Sequence, residues 1–167
     1  LHKKNEYLTM LAMLKGENAF SYAPYTEAQA QELLSELRKM CDYIIIDCTS
    51  NITNDALSAV SLIESDAVLR LVSCDLKSIS YLNSQLPLLL DNKFNANKQY
   101  KAVSNVSSFQ ADDEIEQILG GVSFKIPHSD EVYRQFLSGN LFSALTEKDS
   151  KDFRKAVAKI ANEVFML

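Results

Sequence analysis

Short apolar runs alternate along this chain with longer stretches of helical periodicity, and that alternation restricts the folds open to it. The barest run is Tyr43–Ile46 (YIII), which has no polar residue inside it. A strand with one wet face would alternate, so this run reads as a central parallel strand covered on both sides. Tyr7–Leu14 (YLTMLAML), Ala67–Cys74 (AVLRLVSC), Tyr100–Val106 (YKAVSNV) and Val122–Ile126 (VSFKI) are further strand candidates. The order of elements implies an α/β domain spanning residues 1–167: a mostly parallel sheet with helices on both faces.

The intervening stretches carry helix signals. Thr26 with Gln29 three residues on is a capping-box pattern, and Leu33, Leu34 and Leu37 line one face up to about Met40. Asp55–Glu64 fits a second helix. Asp75 caps a third that bears Leu76, Ile79, Leu82 and Leu86, where Pro87 is expected to kink or end it because it lacks a backbone donor. Asp112–Leu119 is expected to stop at Gly120, and Ser129 to about Ser138 near Gly139. Phe153, Ala156, Val157, Ile160, Ala161 and Val164 recur at helical spacing in a last helix, Ser150–Phe165.

Composition removes several functions. The chain has 167 residues, with Lys+Arg 17 against Asp+Glu 22 and a net charge of -5, which argues against a free-standing nucleic-acid binder. Lys148, Lys151, Arg154, Lys155 and Lys159 are interrupted by Asp149, Asp152 and Glu163, so the last helix reads as a solvated face rather than a DNA or membrane contact. No apolar run approaches a membrane span. The three cysteines, Cys41, Cys48 and Cys74, have no C-x-x-C spacing and only His2 and His128 for company, so they read as reduced thiols of a cytoplasmic protein. There is no G-x-S-x-G elbow. Asp112-Asp113-Glu114 sits at a helix start, where the helix dipole accounts for it.

Glycine is scarce, only 4 of 167, and neither G-x-x-x-x-G-K-[ST] nor G-x-G-x-x-G occurs. A phosphate-cradling loop needs glycines for close backbone approach, so none is encoded in these residues. The chain starts at Leu1 rather than Met, which suggests a fragment.

In an open α/β sheet, ligands bind beyond the carboxyl ends of the strands. Three segments fall there: Asp47-Cys48-Thr49-Ser50, Asn105 with Ser107 and Ser108, and Pro127-His128-Ser129. A buried strand ending in Asp47 suits a hydrated Mg²⁺, one rigid carboxylate reaching the metal through water. Capping of the loop by the same carboxylate accounts for it equally well.

The run 41–51 (CDYIIIDCTSN), followed by Ser65-Asp66-Ala67-Val68-Leu69, resembles the middle of the ParA/MinD family of deviant-Walker ATPases. Lys101–Val106 (KAVSNV) is similar to the family's strand carrying an Asn near the adenine. Residues 124–132 (FKIPHSDEV) are similar to the loop that wraps the base. Phe136–Leu145 stands where the family has A-x-x-G-x-P-v, and the last helix resembles its closing helix. The likeness runs from about Tyr7 to Phe165, and within the family the CpaE/TadZ-like pilus-assembly branch and ParA-like proteins of mobile elements are nearest.

The resemblance implies a P-loop NTPase-like fold of the SIMIBI type without its P-loop strand and helix. It implies ATP and Mg²⁺ for the intact family member, with Asp47 as the Walker B aspartate acting on Mg²⁺ through water and Thr49 in switch II. Asn105 would face the adenine edge, with Pro127 and His128 beside the base. It also implies a homodimer formed on ATP and a protein partner in an assembly or partition system. Two departures stand out: Cys48-Thr49-Ser50-Asn51 replaces the expected Pro-Pro, and without the loop's amides and lysines nothing here neutralises phosphates. These residues alone are therefore not expected to hydrolyse ATP. The alternative is a degenerate member kept as an interaction scaffold. A receiver-like signalling domain, suggested by Lys125 and Pro127, lacks its second acidic residue after the first strand.

Overall fold

The computed structural model describes residues 1–18, 20–107 and 112–165. They form two compact units, 1–64 and 65–167.

Unit 65–167 contains a three-stranded parallel sheet: β3 (Val68–Ser73), β4 (Gln99–Val106) and β5 (Phe124–Pro127), in the order β3-β4-β5. Consecutive residues of β4 explain the layering, because neighbouring side chains on a strand point to opposite faces. Val103 packs with Val72, with Ile79 and Leu82 of α3 (Leu76–Leu89) and with Ile115 of α4 (Asp112–Ile118). Ala102 packs on the other side with Phe124 and with Ile160 and Val164 of α6 (Ser150–Phe165). The two crossover helices thus lie on one face and the closing helix on the other, as parallel crossovers in a sheet require. The α/β class with helices on both faces is as the sequence implies.

Local chemistry sets the helix ends. Asp75 accepts from the Ser78 amide at 2.8 Å and from the Ser78 hydroxyl at 2.8 Å, and so opens α3. Pro87 lies inside α3, but the helix ends two residues later at Leu89, so it ends the element rather than kinking its middle. α4 closes with Gly120 at φ 65° and Gly121 at φ 92°. Their amides return to the Gln117 and Glu116 carbonyls. The Lys101 ammonium donates to the Leu119 carbonyl at the same terminus.

In unit 1–64, α1 (Glu27–Arg38) and α2 (Ala56–Glu64) pack through Ala30, Leu34 and Val60, with Leu37, Ile46 and Leu57 at the margin. The capping box is complete: Gln29 N donates to Thr26 Oγ1 at 3.2 Å and Thr26 N to Gln29 Oε1 at 3.0 Å. Arg38 donates to the Glu64 carbonyl at 2.5 Å, placing a cation at the C-terminus of α2.

Two strand expectations differ from the structure. Tyr7–Leu14 contributes only β2 (Thr9–Met10), which pairs antiparallel with β1 (His2–Lys3). Tyr43–Ile46 carries no ladder, and Ile45 is 82% exposed. The apolar pattern there is that of a buried strand, but a strand exists only through neighbours. Among the described residues none pairs with it.

Candidate functional site

At its carboxyl end β4 departs from regular pairing. Val103 faces Lys125, but Val106 faces Pro127, so three steps on β4 match two on β5. The extra residue makes a bulge, which bends the strand and re-aims a side chain. Asn105 sits in it at φ 58°, a left-handed conformation. Asn tolerates that conformation better than most residues.

The bulge turns Asn105 toward the segment leaving β5. His128 N donates to the Val106 carbonyl at 2.9 Å, which fixes the backbone. The His128 ring then lies with Nδ1 2.6 Å from Asn105 Oδ1 and Nε2 3.0 Å from Asp130 Oδ1. Asn105 is exposed, and Pro127 and His128 are half-buried. Of the residues expected at a base, the structure therefore brings Asn105, Pro127 and His128 together at the carboxyl end of the sheet. Asp130, which joins them, had no signal beyond its place at a helix start. Ser108 lies outside the described residues.

Ser129 then starts α5 (Asp130–Leu137), its hydroxyl accepting from Val132 N at 3.3 Å and donating to Asp149 Oδ2 at 3.0 Å. Asp149 also accepts from Glu131 N at 2.9 Å. Buried Glu131 accepts from the Thr146 and Glu147 amides at 2.8 and 3.0 Å. Burial pushes the Glu131 carboxyl up, but the Ser150 hydroxyl and these two amides outweigh it and hold it below the usual range. Asp149 is held low chiefly by the Glu131 amide, against burial. The cluster ties the start of α5 to the start of α6 and so braces the segment that carries His128. It escaped sequence reasoning because its partners come from a loop some fifteen residues on.

In unit 1–64, Asp47 and Thr49 lie on the loop that follows Tyr43–Ile46, and both are exposed. Thr49 N donates to Ser58 Oγ at 3.0 Å, and Thr49 Oγ1 accepts from Asn51 N at 3.3 Å. Asp55 holds Ser58 in turn through a 2.5 Å hydrogen bond and accepts from Leu57 N at 3.2 Å, which caps α2. The loop is thus hung on the helix start by Asp55 and Ser58. The Cys48 thiol is pushed up by burial, a rise that the Ser58 hydroxyl opposes and the Asp55 and Asp47 charges reinforce. Burial thus favours the thiol over the thiolate.

Among the described residues no group of three or more His, Cys, Asp or Glu converges as a metal cage. Mg²⁺ needs no such cage, since it keeps most of its water and takes one or two carboxylates. As an exposed carboxylate, Asp47 has the donor chemistry for such an ion. Lys125 is ion-paired with Glu116 at 3.1 Å.

No protein-family model and no curated protein matches the sequence. Solved structures do match. A ParA family ATPase from Chlorobium tepidum aligns with a TM-score of 0.65 and 21% identity over 83% of this chain. The MinD cell division protein of Aquifex aeolicus aligns with a TM-score of 0.65 and 15% identity over 87% of it. The chain spans 58% and 63% of the length of those two proteins. Its parallel sheet flanked by helices is of the P-loop NTPase-like type, and the chain has the fold of the ParA and MinD proteins.

Proposed function

We propose that this chain is the Walker B-to-C-terminal part of a single ParA/MinD-like ATPase domain, one that binds an adenine nucleotide and dimerises on it to position or assemble cargo. The observation that carries the reading is the Asn105–His128 pair at a strand bulge, at the carboxyl ends of β4 and β5. Asn105 presents an amide able to meet a base edge, Pro127 offers an apolar surface beside it, and His128 a ring. Asp47 would hold Mg²⁺ through water and Thr49 would sense the terminal phosphate; the Ser58 hydroxyl, which accepts from Thr49 N, supports an ordered loop there. Mg²⁺ supplies charge neutralisation at the phosphates when bound. The partner is a second copy of the protein together with a protein of a pilus-assembly, secretion or partition system, in the cytoplasm.

The scaffold reading is favoured by a specific observation of its own: the switch-like loop carries Cys48-Thr49-Ser50-Asn51 where the family has Pro-Pro. Amide-resolved NMR with adenosine 5′-monophosphate separates the two. The ATPase reading expects perturbations at Asn105, Val106 and His128 through Asp130 that vanish in Asn105→Ala. Perturbations elsewhere, or none at millimolar ligand, would leave the scaffold.

A further inference from the structure

The hydrogen-bond chain Asn105–His128–Asp130 goes beyond what a base-contacting Asn requires. Asp130 is a carboxylate and can only accept, so the proton between it and the ring sits on Nε2. The group at Nδ1 then depends on the charge of the ring. A neutral ring leaves Nδ1 as a lone pair, which must receive an N–H from the Asn105 amide. A cationic ring carries a proton on Nδ1, which must be accepted by the Asn105 carbonyl oxygen. The two ends of an amide are nearly equal in size, so either orientation fits the same space and the ring decides between them.

We propose that His128, anchored by Asp130, sets which end of the Asn105 amide faces the ligand and so makes this a charge-switched selector between 6-amino and 6-oxo purines. The proposal rests on the nucleotide reading given above. With the ring neutral, Asn105 holds its N–H on His128 and turns its oxygen outward, an acceptor for the exocyclic amine of adenine. With the ring cationic, the oxygen is held at Nδ1 and the amide nitrogen faces outward, a donor for the carbonyl of hypoxanthine or guanine. The wrong base in either state sets donor against donor or acceptor against acceptor. Among the described contacts, Asp130 of α5 is the charged group on the ring, and β4 supplies the uncharged Asn105. The ring is about one-third exposed, open both to solvent protons and to a base.

Long-range ¹H–¹⁵N NMR of the imidazole rings tests the relay without any ligand, with His2→Ala used for assignment. The neutral ring of His128 is expected as the Nε2–H tautomer, and Asp130→Ala is expected to relax that preference. Titration with adenosine and with inosine at about pH 8 and about pH 5 then tests selection. The ratio of adenosine to inosine affinity is expected to fall about tenfold or more on acidification. His128→Phe keeps a ring in place and is expected to abolish the change. An unchanged ratio in the parent chain, or the same change in His128→Phe, overturns the proposal. If the tautomer is as expected but neither nucleoside binds, the nucleotide reading itself fails and the selector falls with it; if both bind and the Nε2–H tautomer is absent, the selector alone is wrong.

Discussion

Replacing Phe124 by Ala tests how the sheet is held to its closing helix. Phe124 is 4% exposed and packs with Ala102 and Ile160, with Leu69, Tyr100, Ile126 and Val164 around them. Its ring lies 6.0 Å from that of Tyr100, tilted by 38°. Such a geometry is worth about 0.5–1.5 kcal/mol beyond burial. Removing the ring loses its transfer energy and leaves a cavity between β5 and α6, so the expected cost is about 3–5 kcal/mol. That is a large share of a domain stability of about 5–15 kcal/mol. The chain has no tryptophan, so urea unfolding is best followed by far-UV circular dichroism. At a slope of about 2 kcal/mol per molar, the midpoint is expected to fall by about 2 M. Leu71→Ala is the control, because Leu71 is 61% exposed on the same sheet. That substitution is expected to cost no more than about 0.5 kcal/mol. A Phe124→Ala shift under about 0.5 M, or one no larger than that of Leu71→Ala, would refute the packing of α6 on this face.

Other outcomes follow from particular contacts. Thr26→Ala removes half of the capping box on α1. It is expected to cost about 1 kcal/mol in the unfolding of unit 1–64, measured by urea titration. Asn105→Gly keeps the left-handed backbone at no steric cost, so the melting temperature is expected to hold within a few degrees while base-induced NMR shifts disappear. Asn105→Val, with a branched side chain in the left-handed region, is expected to lower stability by about 1 to about 2 kcal/mol in the same melts. Glu131 and Asp149 are both held below their ordinary values, so the folded state binds fewer protons than the unfolded chain in the acid range. The stability they contribute is present above the ordinary carboxylate range and is lost as pH falls through the folded values. Glu131→Gln is expected to flatten that part of the pH–stability curve, which thermal melts across the acid range would show.

The sequence was most informative where structure is local. The Thr26–Gln29 box, the Asp75 cap and the span of the last helix depend on residues within a few positions of each other, and all three are as expected. Tyr43–Ile46 shows the opposite case: its composition is that of a core strand, but pairing depends on other segments, and the run has no ladder. The site divides the same way. Asn105, Pro127 and His128 stand out by their place at strand ends and by family likeness, while the bulge that joins Asn105 to His128 comes from a register shift no local pattern encodes. Glu131 stands in the first turn of α5, where acids are common, and only the fold reveals it as a buried acceptor for the 146–147 amides.

The nucleotide reading is tested most directly by calorimetric titration of the chain with Mg-ATP beside adenosine. On that reading the base contacts lie in these residues and a glycine-rich phosphate loop does not, so the two are expected to bind weakly and within about threefold of each other. Micromolar binding of Mg-ATP, far tighter than adenosine, would contradict the account, because Asp47 and Thr49 without a glycine-rich loop are not expected to hold the phosphates.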